Sequence, residues 1–585
     1  MASKQQEITV NNFFGGISDD PRAVSASEFI LAKHFDIFSN PKRLTPYRSF
    51  EADTNDGSSS TGMKQYAVKD FLFASESAKL YGLGQTAGGL TKIVQKADAT
   101  TGNWSLPANS EGNGAILNGC FAEYKDYLWG FQGTTQVWKW GLLSGTPTIT
   151  DSAGTIGAIY NTVTAIAVNT GGTGYNINDV LTLTEGANTA TCIVTAVSAG
   201  AVTAVTLLEP GSNYTTGSKA TTVAPVGGIN CTITVSTRGD INETITSVAQ
   251  GVIGRDDNLY LPYNNILVRV YPSGTVQDQA LKLPTTLKIT SITNYGNYLA
   301  IGCSPKSVYK GVSKVFLWNF TSPDIQEVID WGEGELRVLE TIEGILVGVT
   351  DRYLNNAVGA GKGSMIIQGY QGGTPQVLKE VFTRKLNGIV MPLYKVVRNN
   401  RVFFVAKIMT NDAGTTYEEG VWSFGRKNSG YPFALNLDYI DENVSTSGIQ
   451  SFGAAGNYFF ISHSLDGSID KINDAATYAF DSVYNSQIVN FDDVDNDKRL
   501  DSLKVSFRRL LSGEVLTAKY RVDGSATWVT IGTFSTVDTI SHTFVREDTA
   551  DKDFTSGREY EFQLISTGGL EITGWRAKAT ILSNI

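Results

Sequence analysis

Along most of this chain, four-residue apolar or aromatic stretches follow a turn residue and lead, through a loop, to a second apolar stretch. The first stretches include Asp70-Phe71-Leu72-Phe73, Asp126-Tyr127-Leu128-Trp129, Asn258-Leu259-Tyr260-Leu261 and Asn297-Tyr298-Leu299-Ala300. Gly344-Ile345-Leu346-Val347, Arg401-Val402-Phe403-Phe404 and Asn457-Tyr458-Phe459-Phe460 continue the series. Second stretches such as Val137-Trp138-Lys139-Trp140-Gly141, Val315-Phe316-Leu317-Trp318 and Val421-Trp422-Ser423-Phe424-Gly425 complete hairpins. Runs this short, bounded by Asn, Asp and Gly, predict strands and tight turns. Helical periodicity is nearly absent. The one helix expected spans Ser25 to Lys33, with Ser25 or Ser27 as its N-cap.

The spacing of the turn residues organises the chain. Asp70 to Asp126 is 56 residues, Gly344 to Asn400 is 56 and Asn400 to Asn457 is 57, while Asp126 to Asp257 is 131. The long interval holds a duplication. Thr164 to Tyr175 matches Thr203 to Tyr214 at an offset of 39, and Cys192 and Cys231 keep the same offset. Excising residues 161–238 shortens the interval to 53, in line with the others. A recurring small antiparallel sheet predicts an all-β chain built on a β-propeller of six or seven irregular blades, over 61–160 and 239–484. Residues 161–238 form an inserted two-repeat β module. Alternation in Leu503–Arg508, Val515–Val522 and Tyr560–Leu564 predicts a C-terminal β-sandwich or jelly roll over 485–585. Residues 1–60 are expected to be an extended arm on the chain's own propeller or on a neighbouring subunit.

Composition narrows the function. The 57 acidic and 47 basic residues leave a net charge of −10, which disfavours a tight nucleic-acid binder but not a wall past which DNA slides. The four cysteines form no CxxC pair, and three histidines are too few for a His-rich metal site. The polar opening Met-Ala-Ser-Lys-Gln-Gln-Glu lacks the apolar core of a secretory signal. No apolar run approaches the about 18 residues of a membrane span. A protein made in the cytoplasm, without membrane span, metal or cofactor, is expected.

Several segments invite a chemical reading. Gly359-Ala-Gly-Lys-Gly-Ser364 resembles a phosphate loop, but Asn356 stands where the first glycine belongs and a strand follows. Asp493-Val-Asp-Asn-Asp-Lys498 starts like a calcium loop, but has Lys504 where the last ligand should be. Asp523-Gly-Ser-Ala-Thr-Trp528 reads as a hairpin turn. His34, His463 and His542 have no nucleophile elbow nearby, so no catalytic, cofactor-binding or metal residues are assigned. Trp138, Trp140 and Trp318 are candidates either for packing between blades or for glycan contact.

The arrangement resembles bacteriophage tail proteins of β-propeller type, the tail nozzle or hub proteins. The likeness is carried by Phe14-Gly15-Gly16-Ile17, Phe35-Asp36-Ile37 and Leu44-Thr-Pro-Tyr47. It extends to the Gly172-Thr-Gly-Tyr175-Asn-Ile-Asn-Asp-Val module and to the order of propeller and sandwich. The resemblance implies a virion protein, assembled in the host cytoplasm, that forms a homo-oligomeric ring, commonly a hexamer. It also implies contacts with adaptor or portal proteins and fibres, and DNA passing through non-specifically during ejection. A receptor- or glycan-binding tail protein is the alternative, and a glycan-degrading tailspike-type enzyme the third reading.

Overall fold

The computed structural model describes residues 5–582, apart from 19–26, 49, 54–65, 75–78, 87–90, 97–103, 108–116, 133–135, 146–156, 160–161, 186–187, 210, 212–213, 225–226, 240–244, 307–310, 322–323, 354–362, 384–388, 410–416, 441–448, 456–457, 464–468, 473–477, 479–480, 546–547 and 549–553. The described elements are all strands, and the chain divides into two compact units. It is an all-β protein of the β-propeller type with an inserted β module and a C-terminal β-sandwich.

One unit comprises 54–341 with 466–468. Its blade sheets are meanders in which each strand pairs antiparallel with the next in sequence. Tyr66–Ala74, Lys79–Thr86 and Thr91–Lys96 form the first. Leu117–Tyr124, Tyr127–Gln132, Gln136–Gly141 and Gly157–Ile159 form the second. Two more follow the insert, one over Val252–Ile253 to Val276–Lys282 and one over Leu287–Tyr295 to Glu327–Glu333. The turn residues that mark the repeat have a specific job. Tyr124 pairs with Tyr127, leaving Lys125 and Asp126 in a two-residue turn with φ of 49° and 65°. Positive φ at both positions matches the twist of the flanking strands, and short polar residues tolerate it best. Asn399 and Asn400 do the same between Arg398 and Arg401, with φ of 48° and 60°.

The insert is one six-stranded sheet, and its pairing crosses between the repeats. The first strand of repeat one, Thr162–Thr173, pairs with the third strand of repeat two, Ile229–Gly239. The third strand of repeat one, Asn188–Ser198, pairs with the first of repeat two, Ala201–Glu209. The middle strands, Val180–Glu185 and Gly217–Ala224, pair with each other at the centre. Cys192 and Cys231, equivalent by the duplication, both face the shared core with Tyr175, Tyr214, Leu181 and Ile233.

The other unit comprises 1–53, 342–465 and 469–585. It holds Ile345–Tyr353, Gly363–Tyr370 and Gln376–Thr383 as consecutive antiparallel strands. The meander from Ile389–Arg398 to Ala434–Ile440 follows. In the next blade, Ile449–Ala455, Tyr458–His463 and Ile469–Ile472 take their fourth strand, Glu51–Ala52, from the N-terminal segment. The sandwich sets the sheet of Gln5–Val10, Ile572–Leu582, Asp497–Phe507 and Ser541–Val545 against one containing Ser482–Asn485, Tyr560–Thr567, Val515–Val522 and Val529–Phe534. Phe562 and Trp575 meet between the sheets at 5.3 Å, and the Trp575 indole N–H donates to Tyr484 Oη at 3.2 Å.

The N-terminal segment differs from expectation in two ways. No helix forms among the described residues of 25–33. Glu28–Phe29 and Leu31–Lys33 are strands, and Leu31 and Lys33 pair with Asn485 and Val483. Long-range pairing with buried partners outweighs a weak local helical preference. The segment is also not laid along the surface. Gln5–Val10 completes one sandwich sheet. Leu31–Lys33 joins the blade strand Ala434–Ile440 to the sandwich strand Ser482–Asn485, making one nine-stranded sheet.

Candidate functional site

The densest polar arrangement lies where the N-terminal segment crosses the blade of Ile389–Arg398 to Ala434–Ile440. Arg401, the first residue after the Asn399-Asn400 turn, is buried. Its Nη1 lies 3.2 Å from Tyr47 Oη, 3.5 Å from Asp438 Oδ2 and 3.9 Å from Asp36 Oδ1. The rings of Phe38 and Phe403 lie 4.4 and 4.8 Å from the guanidinium, supplying cation–π contact where water is excluded. The Asn436 amide donates both to the Phe35 carbonyl and to Asp438 Oδ1, at 2.6 and 2.7 Å. Asp36 Oδ1 accepts the N–H groups of Phe38 and Ser39 at 2.8 and 3.1 Å. Burial pushes the Asp438 carboxyl up to about 7, against the opposing pull of Arg401 and hydrogen bonds from Ser423 and Asn436.

Further clasps flank this centre. Lys471 donates to Asp53 Oδ1 at 2.9 Å, with the Asp53 carboxylate wholly buried, beside the strand pairing of Glu51–Ala52. Lys379 reaches Glu28 at 2.8 Å, Lys427 donates to the Ser39 carbonyl at 2.8 Å, and Arg43 pairs with Glu571 at 3.1 Å. Together these groups hold one segment to the blades and the sandwich. They offer attachment chemistry, namely charge pairs and hydrogen bonds between elements far apart in sequence.

The segments singled out in the sequence take structural places. Residues 359–362 of the phosphate-loop resemblance lie outside the described residues, and Gly363 and Ser364 begin a strand. Asp493 folds on itself: its Oδ1 accepts the N–H groups of Asp495 and Asn496 at 3.1 and 3.0 Å. Asp523 is in the hairpin turn before Gly524, with φ of 47° and 70°, and its Oδ1 accepts N–H groups of Arg558 and Glu559. His463 pairs with Asp470 at 3.1 Å inside its blade. His542 stacks on Phe534 at 4.0 Å, and burial lowers its basicity. His34 is buried, with φ of 59°, and desolvation pushes its imidazole down to about 3.

Trp138, Trp140 and Trp318 are at most 1% exposed, so glycan contact through these rings is ruled out. Trp140 meets Tyr81 edge-on at 5.6 Å and Trp318 meets Tyr260 likewise, joining adjacent blade sheets. Cys192, Cys231 and Cys303 are free and buried. Among the described residues, no group of three or more His, Cys, Asp or Glu converges on a metal position. No described helix is long and apolar enough to cross a membrane.

Sequence reasoning missed the Arg401 centre and the Asp53 clasp. A signal was present in Phe35-Asp36-Ile37, where a carboxylate interrupts an apolar run. A charge there implies a buried partner, although its identity depends on a residue more than 350 positions away.

No protein-family model matches the chain, and no curated protein does. Among solved structures, it is similar to a catalytically inactive virginiamycin B lyase from Staphylococcus aureus with quinupristin, at 11% identity and a TM-score of 0.32, over 73% of this chain and 98% of that one. It is also similar to BamB from Moraxella catarrhalis, at 10% identity and a TM-score of 0.28, over 69% and 82%. A glycoside hydrolase matches at 9% identity and a TM-score of 0.23, over 88% and 98%.

Proposed function

We propose that this protein is a structural component of a bacteriophage tail, of nozzle or hub type. In this reading it assembles with its own copies into a ring, docks adaptor or portal proteins and fibres, and forms part of the path by which DNA leaves the virion. It is a scaffold and not an enzyme.

The observation that carries the reading is the use made of the motifs behind the resemblance. Gly16 and Ile17 pair with Glu28 and Phe29, and Phe35, Asp36, Ile37 and Leu44 are buried. Tyr47 bonds to Arg401, and its main-chain N–H donates to the His34 carbonyl. The N-terminal motifs are thus the joint between blades and sandwich, a load path suited to a part that must hold its shape inside an assembly. A net charge of −10 suits a wall that repels phosphates more than it grips them.

Mass photometry of the purified full-length chain tests the reading. A closed oligomer of several copies is expected, six being the number the resemblance implies. A monomer at every concentration, together with turnover of a host polysaccharide, would move the chain to the tailspike-type class.

A further inference from the structure

We propose that Arg401, Asp36 and Asp438 form a proton-operated clasp: two buried carboxylates face one guanidinium, Asp438 holds a proton, and loss of that proton as pH rises above neutrality loosens the hold of residues 28–53 on the blade.

The charge count carries the argument. Asp438 is fully buried, Asp36 and Arg401 nearly so, and both carboxylates lie within 3.9 Å of the same nitrogen. With both ionised, the site holds two negative charges against one positive charge, and an uncompensated charge in a low-dielectric site is expensive. Protonation of one of the two carboxylates removes that excess. The surroundings select the carrier. Asp438 is wholly buried, and burial raises its carboxyl, so the proton is placed there. The other titratable or charged groups facing the site are Tyr47 from the N-terminal segment, and Tyr439 and Arg398 from the blade. Tyr47 and Tyr439 are held neutral by burial, so neither adds charge, and the Arg398 guanidinium lies 4.5 Å from the Phe459 ring and donates to the Tyr458 carbonyl at 3.3 Å. Because Asp36 belongs to the N-terminal segment and Asp438 to the blade, their repulsion acts across the joint. The Asn436 amide, which bonds both Phe35 and Asp438, transmits any shift of one to the other.

The sign follows from the raised carboxyl of Asp438. Its stabilising contribution is complete below the ordinary aspartate range and is lost as pH rises through about 7. Hydrogen exchange of the full-length protein, read by mass spectrometry on peptides covering 35–47 and 434–440, tests it against Asp438→Asn, in which the proton is replaced by a permanent neutral group. From about pH 6 to about pH 8.5, opening of these peptides in the natural protein relative to Asp438→Asn should rise about tenfold. Asp36→Asn leaves one carboxylate for one guanidinium and should likewise flatten the dependence, so it serves if Asp438→Asn does not fold. A ratio that stays flat with pH, or an unchanged rise in Asp36→Asn, overturns the proposal.

Discussion

Tyr214 and Ala190 belong to opposite repeats of the inserted module, and the Tyr214 phenol accepts the Ala190 N–H at 2.7 Å while donating to the Leu183 carbonyl at 2.6 Å. Tyr175, its counterpart by the 39-residue duplication, reaches the other way and accepts the Cys231 N–H at 3.3 Å. Each repeat therefore closes main-chain hydrogen bonds of the other, and the halves form one cooperative sheet. Tyr214→Phe leaves a buried donor and a buried acceptor unsatisfied and should cost about 1–3 kcal/mol. Tyr175→Phe, with one longer bond, should cost less. Denaturant melts of the two variants check the order.

Gly172 sits in the first of these repeats with φ of 62°, and a Cβ there would lie 2.3 Å from the Ile229 carbonyl oxygen. Backbone strain and a main-chain clash coincide, in a place where the facing strand cannot yield without breaking its ladder. Gly172→Ala should destabilise the module by about 2 kcal/mol or more. Loss of amide protection confined to 162–239, with the sandwich unaffected, is the expected hydrogen-exchange pattern.

The Asp53–Lys471 pair closes the blade whose fourth strand comes from the N-terminal segment. Removing one partner strands the other charge in the interior. Asp53→Ala should therefore cost roughly 3–5 kcal/mol, and Asp53→Ala combined with Lys471→Met clearly less than the single change. Thermal melts of the single and double variants supply the comparison.

His34 gives stability an acid limit. Its buried imidazole is held neutral down to about 3, whereas the unfolded chain takes up a proton near the ordinary histidine value of 6.5. The contribution is therefore present above about pH 6.5 and is lost as pH falls toward 3. His34→Asn keeps a residue that tolerates positive φ and removes the titration. The natural protein should lose about 2.7 kcal/mol more than this variant between about pH 7.5 and pH 4.5, as read from urea midpoints.

The hairpins were legible in sequence because their information is local. Lys125-Asp126 and Asn399-Asn400 mark their own turns, and apolar runs mark the strands beside them. The insert was legible because duplication keeps an offset that no folding event erases. Pairing partners were not. Nothing near Leu31 says that it will meet Asn485, and nothing near Ala52 says that it will meet Asp470. The same limit hid the polar centre, since Asp36 and Asp438 become neighbours only after the N-terminal segment is threaded between blade and sandwich. The Trp side chains show the converse. Trp138 and Trp140 flank Lys139 in one strand and so share a face, which favoured burial of both, and only their exposure in the folded chain separated packing from glycan contact.

Electron microscopy of particles released from cells that express this chain tests the proposed place in a phage tail most directly. The account predicts density for several identical copies, arranged as a closed ring around the DNA path at the tail. Absence of the chain from particles, or isolated peripheral copies with no opening between them, would contradict it.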